Sequence, residues 1–327
     1  MEKWLLRRLF ENKNDQPVPR FAFQGTVNWM ASLSILSKSE LFSDENLNRH
    51  YQHVQRRKPN NDADTWTFEN ILMALHNIAA LDEMSSAHVN KVAIVRSAIV
   101  AWYYAIYYSA SAMVAAASGS KQETHALTAK VWQNDIVNKD LAVCPFDLRL
   151  NTLVQKDVKN KVIRLRNGNN FELVNYPQSE SDAWGAVCGY LSGTADYEKL
   201  RIEERVRNSK EFKNLNVENF RTKAARELRD AKLKDGIVNF LVQAFRYRGK
   251  ANYRDSIYLS YGENRSDTIS IFVQNLDVVA TVFFKMACHY IPRRVDKQSW
   301  NDFSRDLQNN LTIKIDNKIL KSNRDRE

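Results

Sequence analysis

The stretch SAHVNKVAIVRSAIVAWYYAIYYSASAMVAAA, Ser86 to Ala117, decides the fold class. Its apolar residues recur at helical spacing, and Gly119 just beyond it reads as a stop signal. Ser97, Ala101, Ala105 and Ser109 form a row of small residues four apart, along which another helix can approach closely. Tyr103 with Tyr107, and Tyr104 with Tyr108, make aromatic pairs on other faces. A helix apolar nearly all round belongs in the middle of a bundle or at a subunit interface. From Ala98 to Ala117 twenty residues carry no charge, which is the length of a membrane span. Four tyrosines and two serines give that run little insertion energy, so a buried core helix is expected and no membrane.

Working outward, TFENILMALHNIAALDEM places Phe68, Ile71, Leu72, Leu75, Ile78 and Leu81 on one helical face, with Asp64 or Thr65 available as a cap. Two mixed-charge segments, YEKLRIEERVRNSKEFKNL and ENFRTKAARELRDAKLKDG, read as solvated outer helices. Apolar helices are expected again at 237–248 and 267–290, the second ended by Pro292, and an amphipathic one from about Trp300 to Leu311. The one strong β signal is VIRLR, then Asn167-Gly168, then NNFELV, where Asn-Gly suits a type I′ turn. The expected fold is therefore an all-α helical bundle with a long central helix and a small inserted β-hairpin at about 162–174. Its parts are a partly helical lead-in (1–62), the bundle (63–292) carrying an insertion at 130–235, and a C-terminal helix with a charged tail (293–327).

Only 9 glycines and 6 prolines occur in 327 residues, which favours long helices over many short strands. Three scattered cysteines, with no CxxC pair, give no disulfide framework and no zinc site. His50 and His53 stand at helical spacing but beside Arg56, Arg57 and Lys58, which favours an anion over a metal. MEKWLLRRLFENKND turns charged before any apolar run develops, so the expected compartment is the cytoplasm. GxxxxGK[ST], GxGxxG and GxSxG are all missing, and no cofactor is expected. A net charge of +10 makes nucleic acid, RNA or DNA, the expected partner.

Two blocks carry a resemblance. RSAIVAWYYAIYYSASAMVAAASGSKQETHAL (Arg96 to Leu127) and FLVQAFRYRGKANYRDSIYLSYG (Phe240 to Gly262) resemble segments of the HEPN superfamily, helical-bundle proteins of prokaryotic toxin and defence systems. Thr124-His125 looks like the family's Thr-His element, and Ala251-Asn252-Tyr253 like its Ala-Asp-Tyr element after an arginine. The two blocks are 55 of the 327 residues; the resemblance, which also takes in the long helix after the second block, implies a homodimer, with a further protein partner in a defence complex. The family's ribonuclease motif, Arg-x4-6-His, is absent: the fifth residue after Arg248 is Tyr253, and His53 comes one position too soon after Arg49.

The sharpest constellation is Arg246, Arg248, Lys250 and Arg254, interleaved with Tyr247, Tyr253, Tyr258 and Tyr261. Guanidinium groups bind phosphate through paired hydrogen bonds, and aromatic faces stack on unpaired bases. The competing reading is cations at a helix C-terminus, with Asp255 as an internal partner. Arg246 and Arg248, two apart, cannot face the same way. Arg56, Arg57 and Lys58 complete the expected nucleic-acid-binding set. Weak catalytic candidates are Arg248, Tyr253 and His125, the tyrosine being a poor base at its ordinary pKa. Three functions stay open: a non-catalytic HEPN-like nucleic-acid binder, a metal-independent endoribonuclease with an altered site, and a protein-interaction scaffold or antitoxin-like subunit.

Overall fold

The computed structural model describes residues 4, 5, 8, 19–88, 90–249, 251, 259 and 266–313, and among them twelve α-helices account for the fold. The first half of the chain gives α1 (Pro19–Ser37), α2 (Asp44–His50), α3 (Asn61–Ser86), α4 (Lys91–Ser118), α5 (His125–Asp135) and α6 (Gln155–Arg166). The second gives α7 (Glu180–Asn208), α8 (Lys210–Lys213), α9 (Lys223–Lys234), α10 (Phe240–Gly249), α11 (Ser266–Arg294) and α12 (Lys297–Asn310).

The long central helix is α4, clasped by α3 on one side and α11 on the other. Its limits are set by local chemistry. Asn90 caps its start by accepting from the Val92 N–H, and Gly119 ends it at φ 69°. A Cβ at Gly119 would stand 3.3 Å from that of Ala63, so both backbone and packing call for glycine there. Both α4 and α11 are long and apolar enough to cross a membrane, and most of each apolar window is buried inside the bundle. The small-residue row is spent within the chain: Ala101, Ala105 and Ser109 are buried, while Ser97 is exposed.

The expected lead-in is part of the same core. Trp29 of α1 is 1% exposed and stacks on Tyr190 of α7, with ring centroids 4.1 Å apart. Trp102 of α4 meets it edge-on at 6.0 Å and Tyr247 of α10 at 4.7 Å. The Tyr247 hydroxyl donates to the Thr26 carbonyl at 2.9 Å, which ties α10 to α1. At the other end α12 lays Phe303 flat on Phe68 of α3, 4.4 Å between centroids.

Two expectations are corrected. The segment 162–166 is no strand: it is the end of α6, and Asn167 (φ 44°) and Gly168 (φ 80°) close that helix instead of turning a hairpin. Asn-Gly tolerates positive φ in either role. The apolar spacing decides between them, because Val158 and Val162 are buried together while Ile163 is 56% exposed. Residues 169–174 then run back beside the helices, with Phe171 N–H held by Asn169 and the Leu173 and Val174 carbonyls by the Asn28 amide. The β structure among the described residues is an isolated antiparallel bridge between Leu150 and Val238. Pro292, expected to end its helix, lies inside the last turn of α11, which continues to Arg294.

Arg56 and Arg57 are tied into the fold. Arg56 donates to the Pro292 and Val295 carbonyls at the end of α11, and Arg57 to the Ala116 carbonyl of α4. Arg57 also pairs with Asp64, whose side chain is 4% exposed. Arg294 answers from α11 by donating to Ala117 of α4. These cations satisfy helix-end carbonyls that the helices cannot satisfy themselves. Lys58 is exposed. Removing one partner of a buried pair strands the other charge. Arg57→Ala should therefore cost about 3–5 kcal/mol in urea unfolding. Arg57→Ala combined with Asp64→Ala should cost less than the sum of the two single changes.

Candidate functional site

Three consecutive residues of α10 point three ways. Tyr247 goes into the core against Trp29. Arg246 goes toward α7, where it donates to the Thr194 hydroxyl at 2.8 Å and lies over the Tyr197 and Tyr190 rings at 4.8 and 5.5 Å. Arg248 goes toward α4, its guanidinium 5.2 Å from the centre of Tyr103 and 5.5 Å from that of Tyr104. The two arginines diverge as helical geometry requires. Arg246 is thus engaged inside the fold, whereas the buried Arg248 Nε has no hydrogen-bond partner among the described residues.

Across from Arg248 stands His125, the first residue of α5. Thr124 caps that helix by accepting from the Leu127 N–H, which fixes where the imidazole sits. His125 Nδ1 and the Tyr103 hydroxyl share a hydrogen bond of 2.8 Å. Tyr107 meets the ring edge-on at 4.4 Å, and the Phe245 ring lies 5.3 Å away. Arg248, Tyr103 and His125 thus form one constellation, held by α10, α4 and the start of α5.

Its electrostatics follow from burial and from the arginine. Burial lowers the His125 pKa, and the nearby Arg248 charge lowers it further, so the ring is neutral at pH 7. Burial drives the Tyr103 phenol well above its ordinary pKa, only partly opposed by Arg248. Tyr103 therefore keeps its proton. It can give its O–H to Nδ1, which leaves the Nε2 side of the imidazole as the N–H donor of that tautomer.

His125 also borders a cavity of about 830 Å³ between α5, α7, α9 and α10, with Phe245 beside it at the rim. Leu153, Ile202, Leu241 and Val242 supply apolar wall, while Lys130 and Lys232 bring positive charge to the edge. The cavity carries acids as well, since Glu198 and Asp235 line it, so its charge is mixed.

Among the expected site residues, the structure brings Arg248 and His125 together and separates them from Arg246 and from the 56–58 group. Lys250, Tyr253 and Arg254, with Tyr258, Tyr261 and Asp255, lie outside the described residues. Sequence reasoning missed Tyr103, Tyr104, Tyr107 and Phe245 as neighbours of the site. The four-residue spacing of the tyrosines was visible, but nothing local says which side chain from elsewhere lies on their faces. Burial raises the Cys144 thiol to about 12 and the Cys188 thiol to about 11, so neither is a ready nucleophile. Among the described residues no group of three or more His, Cys, Asp or Glu side chains is placed to hold a metal.

The unfolded chain takes up a proton at His125 near the ordinary value of 6.5, and the folded chain only at lower pH. Stability contributed by keeping this ring neutral is thus present above that window and lost as pH falls through it. An NMR titration of the ring should place His125 below 6.5. Arg248→Ala should move the value partway back up, because burial, the larger cause, remains.

No protein-family model, curated protein or solved structure matches this chain.

Proposed function

We propose that this protein binds single-stranded nucleic acid, RNA first, as a non-catalytic HEPN-like component of a bacterial defence or toxin–antitoxin-type system. The observation that carries the reading is Arg248: a guanidinium laid over two tyrosine rings, near a neutral histidine that itself borders a cavity of mixed charge. Guanidinium groups bind phosphate, and such aromatic-basic surfaces accept unpaired bases without needing sequence. The net charge of +10 supports the same reading through counterion release. The resemblance of 96–127 and 240–262 supplies the biological setting, and a homodimer and a cytoplasmic location go with it.

A second reading is favoured by a separate observation. His125 is neutral at pH 7, and in the other tautomer, with Nδ1–H donating to the Tyr103 oxygen, its Nε2 lone pair is free, which is what a general base requires. With Arg248 to hold a phosphate, that arrangement suits metal-independent endoribonuclease chemistry at a site other than the family's usual Arg and His pair. In that chemistry His125 Nε2 would take the proton of a ribose 2′-hydroxyl, whose oxygen attacks the adjacent phosphorus and expels the 5′-oxygen of the next nucleotide, which is protonated by water, leaving a 2′,3′-cyclic phosphate.

Both readings meet in one experiment, anisotropy titration of labelled single-stranded RNA at two salt concentrations with gel inspection of the same samples. The expected result is binding that weakens steeply with salt and leaves the RNA intact. Arg248→Ala should weaken it roughly tenfold, the scale of one charge-assisted contact. Cleavage lost in Arg248→Ala and His125→Ala would replace the binder with the nuclease. No binding to RNA or DNA would remove both and leave the protein-interaction scaffold.

A further inference from the structure

Tyr107 serves two places. One contact is with His125, and the same ring also lines a separate cavity of about 240 Å³ bordered by α3, α4, the 119–124 loop and the start of α5. Its walls are aromatic: Trp66 from α3, Tyr107 and Tyr108 from α4. Val114 and Ala115, both buried, belong to the same lining. Polar groups complete it, among them Ser111 and Gln122. The Ser111 hydroxyl already donates to the Tyr107 carbonyl at 2.8 Å, so its oxygen remains to accept. Lys121 stands at the edge with its ammonium 5.7 Å from the centre of the Trp66 ring.

We infer that this cavity receives one unpaired nucleobase, stacked on Trp66, with the attached phosphate held by Lys121. The inference rests on the nucleic-acid reading above and adds a subsite to it. Size is the first argument. The cavity is smaller than the roughly 300–1,000 Å³ typical of drug-sized ligands, and a single flat heterocycle is what such a space takes. Composition is the second. A base has both a stacking face and a hydrogen-bonding edge, which matches aromatic walls that carry the Ser111 oxygen and the Gln122 amide. Position is the third, because Tyr107 is shared with the His125 side. A strand whose phosphate lies at Arg248 thus has a neighbouring base within reach of the pocket.

Trp66 is suited to the stacking role for a further reason. It is only partly buried and stands outside the hydrophobic core clusters, so its ring is not needed to hold the helices together. Core indoles such as Trp29 and Trp102 are fully enclosed by contrast.

The test uses the full chain and two probes, a labelled single-stranded RNA of mixed sequence and the free mononucleotides AMP, GMP, CMP and UMP. Trp66→Ala should weaken RNA binding roughly fivefold or more, the loss of one base stack, while Trp66→Phe keeps most of the affinity. Lys121→Ala should lower the salt slope by about one phosphate's share. Thermal melts of each variant, unchanged from the parent, exclude a folding defect. RNA binding that is indifferent to Trp66→Ala but lost in Arg248→Ala would overturn the pocket and leave the wider reading standing. If RNA does not bind, the wider reading fails, and the mononucleotides decide the pocket by themselves. Binding abolished by Trp66→Ala then assigns it to free nucleotides, and no binding overturns it.

Discussion

The indole of Trp29 is the constraint on which the arrangement depends. One side chain touches α4, α7 and α10 at once through Trp102, Tyr190 and Tyr247. Aromatic contacts of this kind add directional preference to simple burial. Tyr247 is anchored further by its hydrogen bond to Thr26, so the rotation of α10 about its own axis is fixed. Once Tyr247 points inward, Arg246 and Arg248 have to leave on opposite flanks. The position of Arg248 over Tyr103 is thus a consequence of packing that occurs one residue away. The same reasoning makes the site rigid on its α10 side, with a charged group projecting from a helix whose orientation the core has already chosen.

The cationic residues divide into two kinds by what they touch. Arg56, Arg57 and Arg294 meet backbone carbonyls where α4 and α11 end, and they draw those ends together. Arg248 meets only aromatic faces among the described residues, and its Nε is unsatisfied. Formal charge in the sequence cannot separate these cases, because a cation near a helix terminus and a cation beside an aromatic pair are spelled with the same letters. Only the three-dimensional neighbour list distinguishes a fastening from a contact surface.

Much of the fold was legible. The central helix ends at Gly119 because glycine takes the left-handed conformation there. The 162–174 segment was misread for a stated reason: Asn-Gly serves a hairpin and a helix C-terminus equally well. The deciding fact was burial of Val158 with Val162, four apart and on one face. Of the site, Arg248 and His125 were picked out separately. Their proximity was not, since the contacts that unite them pass through Tyr103, far from both in the chain. The role of α1 was missed because its apolar residues give little sign of which helix they will meet.

The Trp29 cluster also bears on how the chain comes to be folded during synthesis. The indole leaves the ribosome well ahead of its contact Tyr247, which follows more than two hundred positions later. Until α7, α10 and α11 have been made, α1 has only α4 to cover part of its apolar side. Contacts of such long sequence separation are slow to form, and the exposed surface is open to the wrong partners in the interval. The helical hairpin of α3 and α4 is made of neighbours and can assemble at once. α1 is thus translated before α7, α10 and α11 and fully enclosed only after them.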